Sequence, residues 1–142
     1  MSIPKSDTPP EVTGYLLLFR NTHWNDGLVE SDIHEAMSRV NAWFEGLSTT
    51  GKVVGAQPLM DEGVRISGPG GRSVTDGPFA EAKEVVGGYV LLSVKTLEEA
   101  VAIAKTNPMH DYGLTTEVRP TASSCPHIYR SLYGQLAEAA VS

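Results

Sequence analysis

A single cysteine, Cys125, excludes an intramolecular disulfide and any C-x-x-C metal or redox motif, and suits a reducing cytoplasm. No apolar stretch approaches the roughly 20 residues that cross a bilayer. The start, Met1 to Val12, places no apolar run behind a basic segment, so the expectation is a cytoplasmic protein, neither exported nor held in a membrane. Eleven Lys and Arg stand against 17 Asp and Glu, a net charge of −6, and the cations nowhere cluster. Phosphate backbones are bound by several convergent cations, so nucleic acid is not an expected partner. The glycine-rich Ser67-Gly68-Pro69-Gly70-Gly71 lacks the G-K-[ST] of a phosphate loop and opens no helix. A G-x-S-x-G elbow and a Rossmann G-x-G-x-x-G are missing as well, and neither a cofactor nor a metal is expected.

What is present is the pattern of one α+β domain, long enough to bury a core without staples. Residues 1–13, with Pro4, Pro9 and Pro10 among small polar residues, read as a disordered tail. The domain runs over 14–120, and 121–142 reads as a C-terminal helical extension starting at Pro126. Tyr15 to Phe19 is a short apolar run and predicts a first buried strand. Asp32, with Glu35 three residues on, predicts the start of a helix carrying Ile33, Met37, Val40, Trp43, Phe44 and Leu47 on one stripe and ending at Gly51. Val53 to Ala56 predicts a second strand. Val64 to Ser67 and Arg72 to Thr75 alternate in period two about a glycine-rich turn, a hairpin with one solvated face. Tyr89 to Val94 holds one polar side chain, Ser93, and predicts a central strand. Thr96 and Glu99 form a capping box for a helix that Asn107-Pro108 stops, and Leu114 to Arg119 is a last strand closed by Pro120.

The run Val74-Thr75-Asp76-Gly77-Pro78-Phe79-Ala80-Glu81-Ala82-Lys83-Glu84, followed by Gly87-Gly88-Tyr89 and a helix ending at Pro108, closely resembles the DGPF-domain subgroup of the YCII-related family. The likeness extends over about Tyr15 to Pro120. It implies a ferredoxin-like βαββαβ subunit with a hairpin insertion that pairs into a dimeric α/β barrel, and a family whose biochemical role is mostly undefined. Members are often encoded beside extracytoplasmic-function sigma factors, which implies a sigma-factor-linked regulatory association. A homodimer also follows from the residues, because strands apolar on both faces need a cover opposite the helices. The catalytic idea attached to the wider family is a histidine in the first helix and an aspartate near its end. Val40 and Thr49 stand near those positions, and no His or Asp occurs from Val40 to Gly51.

In a split βαβ arrangement, strand direction brings three loops to one end: the loop after the first strand, the insertion before the central strand, and the loop after the second helix. That end collects His23, Trp24, Asp26, Asp76, Phe79, Glu81, Lys83, His110 and Asp111. His23, Asp76 and His110 are the candidate catalytic groups, able to serve as acid and base near neutral pH or to take part in a metal site. Trp24, Phe79, Glu81, Lys83 and Asp111 are the candidate ligand-binding residues. For each taken singly, the plainer reading is solvated surface, and for Asp76 it is a carboxylate occupied by turn amides. His34 reads as an imidazole on the exposed face of the first helix beside its acidic cap, and His127 as structural. Two function classes follow: a dimeric domain that binds a small organic ligand or regulates, and a small-molecule enzyme of isomerase or lyase type.

Overall fold

The computed structural model describes residues 9–76 and 86–141, with side chains to residue 134 in the last helix. Its elements are β1 (Val12–Arg20), α1 (Glu30–Ser48), β2 (Val53–Pro58), β3 (Val64–Ser67), β4 (Ser73–Asp76), β5 (Gly88–Leu92), α2 (Leu97–Lys105), β6 (Thr115–Ala122) and α3 (Pro126–Val141). Short 3-10 turns occupy Pro69–Gly71 and Pro108–Tyr112. The main sheet is antiparallel between all neighbours, in the order β2-β5-β1-β6, and β3 pairs with β4 as a separate ribbon. This α+β arrangement is compatible with a ferredoxin-like fold, with β5 central as its apolar run predicts.

One face of the sheet carries the core. Tyr15, Leu17 and Phe19 of β1 alternate with Leu16 and Leu18, and their register partners Leu92, Val90 and Gly88 of β5 stand on the same side. Leu17, Val90 and Leu92 are fully buried among Ala36 and Leu47 of α1 and Ala100 and Ala104 of α2. Each such apolar side chain contributes about 1.5–3 kcal/mol by leaving water. On the other face Leu16, Leu18, Tyr89 and Leu91 are half-buried. In α3, Ile128 and Leu132 are exposed.

Helix α1 begins at Glu30, two residues before the predicted Asp32, behind Val29, which makes no side-chain cap. Asp32 instead lies in the first turn with Glu30, where negative charge favours the exposed N–H groups. The helix stops at Ser48, and Gly51, at φ 73°, completes the turn into β2. Met37 leaves the predicted core stripe and is half-exposed because it borders an open cleft, while the unpredicted Ala36 is fully buried in the core. In α2 the Thr96 hydroxyl accepts from the Glu99 N–H at 3.2 Å. Glu99 gives its own carboxylate to Lys52 at 3.6 Å, so half of the predicted box forms.

Two boundaries and one face differ from expectation. β1 starts at Val12, within the stretch read as tail, because the Glu11 N–H donates to Ser123 Oγ and the Ser123 N–H to the Glu11 carbonyl at the end of β6. β6 runs through Pro120 to Ala122; it is an edge strand, where a missing N–H is tolerated. Finally, the β3–β4 ribbon is exposed on both faces, including Val64, Ile66 and Val74 on its apolar side. A two-stranded ribbon has no layer of its own to bury them against.

Candidate functional site

At the end of the sheet where β1 and β2 finish and β5 and β6 begin, α1 and the sheet part to leave a cleft of about 510 Å³. Its floor is Phe19 of β1, Ala56 and Pro58 of β2 and Gly88 of β5; its roof is Met37, Val40, Asn41 and Phe44 of α1. Thr22 and Trp24 close one side, and Asn107, Met109 and Leu114 the other. Gln57, Gly87 and Tyr89 complete the border. Among the described residues that line it there is no carboxylate, amine, guanidinium, imidazole or thiol.

Local chemistry sets these walls. Asn21 turns the chain out of β1 in the left-handed region, at φ 58°, a conformation asparagine adopts more readily than most residues. Its side-chain amide donates to Thr115 Oγ1 at 3.1 Å. The loop then carries Trp24 against Tyr112, with ring centroids 5.7 Å apart. Tyr112 is in turn held to α1: the Arg39 guanidinium lies 5.6 Å from its ring centre, donates to its hydroxyl at 3.3 Å and pairs with Asp111 at 2.8 Å. The Asp111 carboxylate, followed by the Tyr112 hydroxyl, raises the Arg39 pKa above its ordinary value. The loop after α2 is thus tied to α1 over the cleft. Asn107 stands at the base of this loop and caps its 3-10 turn, accepting from the Met109 N–H at 2.9 Å.

Of the residues singled out from sequence, Trp24 lines the cleft. His23 and His110 sit beside lining residues, Thr22 and Trp24 in one loop and Met109 in the other, but are not themselves among the described lining residues. His23 Nε2 lies 3.9 Å from Asp61 Oδ1, both about half exposed, and His110 Nε2 meets Thr116 Oγ1 at 2.8 Å. Asp76 ends β4, exposed, opposite Val64. Asp26 is exposed, and Asp111 is committed to Arg39. Phe79, Glu81 and Lys83 lie outside the described residues. Val40, near the position where the wider family's histidine is expected, is a roof residue, and its isopropyl group makes that wall apolar. His34 pairs with Glu30 at 3.5 Å on the exposed side of α1, and His127 contacts Arg130 at 3.3 Å. No three His, Cys, Asp or Glu side chains gather as a metal site among the described residues, and no described helix is long and apolar enough to cross a membrane.

Sequence reasoning did not single out Arg39, Asn41, Met109 and Tyr112, and it treated Asn107 as a helix stop. The only early signal was Asn107-Pro108 itself, since an asparagine at a cap has a side chain committed to the backbone.

An antiparallel α+β domain with α1 and α2 on one face of its sheet and an apolar cleft under the first helix is the class these features define. A family model for the YCII-related domain matches residues 18–121, and the chain belongs to that family. A search of the curated proteins found no match.

Proposed function

We propose that the chain is a small-ligand-binding domain whose site is the cleft beneath α1. The observation that carries this is the lining: an enclosed-sided apolar space within the size range of small-molecule pockets, walled by Phe19, Trp24 and Phe44 and edged by a few amides. Acid–base chemistry needs a titratable group within about 3 Å of the bound molecule, and the described lining supplies no carboxyl, imidazole, amine or thiol. The neutral dye Nile red should therefore bind saturably with enhanced fluorescence, and Val40→Trp, which pushes an indole into the cleft, should weaken it at least about tenfold while leaving far-UV circular dichroism unchanged. Binding indifferent to Val40→Trp would sink the assignment.

The reading continues the resemblance to the DGPF subgroup, and with it a dimer and a regulatory role linked to sigma-factor systems. What supports the dimer is the half-buried apolar set Leu16, Leu18, Tyr89 and Leu91 on the sheet face away from α1 and α2, which a second copy would cover by two-fold contact. Sedimentation velocity at micromolar concentration should give twice 15.2 kDa, and Leu18→Glu should return the monomer. A wild-type monomer would refute it. The enzyme reading, isomerase or lyase in type, draws on the His23 and Asp61 pair at the mouth, with His110 and Asp76 as the other candidate groups. Turnover of a small substrate that is abolished in His23→Ala is its signature.

A further inference from the structure

We infer that the cleft takes an uncharged, chiefly apolar molecule bearing a carbonyl-type oxygen, which accepts a hydrogen bond from the Asn107 side-chain amide; this rests on the ligand-binding reading above. Asn107 is 4% exposed and borders the cleft. Its Oδ1 is used on the Met109 N–H at 2.9 Å, which fixes which way round the amide sits. Nδ2 consequently remains as a donor, and it meets no partner among the described residues. The backbone is anchored too, the Asn107 N–H donating to the Ala104 carbonyl at 3.2 Å and the His110 N–H donating to the Asn107 carbonyl at 3.4 Å. No side-chain N or O among the described residues is both buried and unpaired, so Nδ2 keeps contact with solvent, and a donor held this rigidly beside an apolar space meets a ligand oxygen with little ordering left to do.

Charge selects against ions. The described lining offers no opposite charge, and Arg39, next to the roof residue Val40, already serves Asp111 at 2.8 Å. An ionised ligand would lose its water without a partner, the costliest kind of burial. The wall rings are braced from behind. Trp43 stands edge-on to both Phe19 and Phe44, with centroids 6.5 and 4.9 Å away, and donates from Nε1 to Thr106 Oγ1 at 2.7 Å. Those rings enter binding with little freedom left to lose.

Three probes of one carbon frame separate these requirements: 2-acetylnaphthalene, 2-ethylnaphthalene and 2-naphthoate, titrated calorimetrically against the full chain at pH 7. The ketone should bind tightest, the hydrocarbon about three- to tenfold more weakly for want of the acceptor, and the carboxylate at least about thirtyfold more weakly. The Asn107 side-chain amide resonance should move with the ketone and stay with the hydrocarbon. Asn107→Asp keeps the acceptor for Met109 but replaces the donor, so it should weaken the ketone about tenfold more than it weakens the hydrocarbon. Naphthoate binding as tightly as the ketone would overturn the uncharged class. Equal ketone and hydrocarbon affinity with an unmoved Asn107 resonance would overturn the acceptor. If Nile red binds and none of the three does, the ligand class is wrong; if Nile red fails as well, the cleft assignment itself falls.

Discussion

Leu17→Ala should lower the free energy of unfolding by about 3–5 kcal/mol, the largest loss expected from a single truncation here. Leu17 is fully buried in the middle of β1, opposite Val90 on one side and Val118 on the other, so both central strands and the edge strand β6 meet over it. Close-packed neighbours on two paired strands relax little into the space, and the cavity term adds to the lost transfer energy. For a chain of this length that loss lowers the melting temperature by roughly 8–15 °C. Leu18→Ala is the control: one residue on, it faces the opposite side of the sheet and is half-buried. Urea unfolding followed by circular dichroism should show Leu18→Ala costing about a third as much or less at concentrations where the chain is monomeric. Equal costs would mean that the helix-covered face is not the main core.

Gly87→Ala should destabilise by about 2–3 kcal/mol and impair the cleft at the same time. A methyl group at Gly87 would stand 2.3 Å from both Cγ2 and Oγ1 of Thr22 and 2.7 Å from its Cβ. Turning the Thr22 side chain does not remove the Cβ contact, so backbone must move. Yet Gly87 is pinned on both sides, its N–H donating to the Phe19 carbonyl at 2.8 Å and its carbonyl accepting from the Leu59 N–H at 2.9 Å. The strain therefore passes into the loop that carries Thr22 and Trp24, both of which line the cleft. Thr22→Gly removes the opposing Cβ and should restore most of the lost stability in the double variant, a coupling of about 1–2 kcal/mol in a double-mutant cycle. Additive losses would show that the close approach is not the cause. The Nile red affinity of Gly87→Ala should fall several-fold and recover in the double variant to the extent that Trp24 returns.

Trp24 and His23 show how far a local pattern reaches. Their placement at the mouth follows from strand direction alone, because a split βαβ order dictates which loops share an end. That Trp24 lines the cleft and His23 turns to Asp61 depends on the left-handed turn at Asn21 and on the stacking with Tyr112, and each of these involves a partner dozens of residues away. Arg39 was silent for the same reason: on the helix stripe it is one more polar residue, and it gains a role only when Asp111 and Tyr112 come to lie beside it.

From sequence alone, the two helices, the four strands of the main sheet, the hairpin and the central place of β5 were readable, since periodicity of 3.6 or 2 and cap chemistry act between near neighbours. The family was readable too, in the segment that follows β4. The tertiary structure decided where the walls of a site stand: that Val40 and Phe44 roof a cleft, that Asn107 borders it with its side-chain oxygen committed to Met109, and that the loops carrying His23 and His110 supply its sides. These depend on which side chains meet across the gap between a helix and a sheet. Such contacts are set by packing over long sequence separations, which no local spacing encodes.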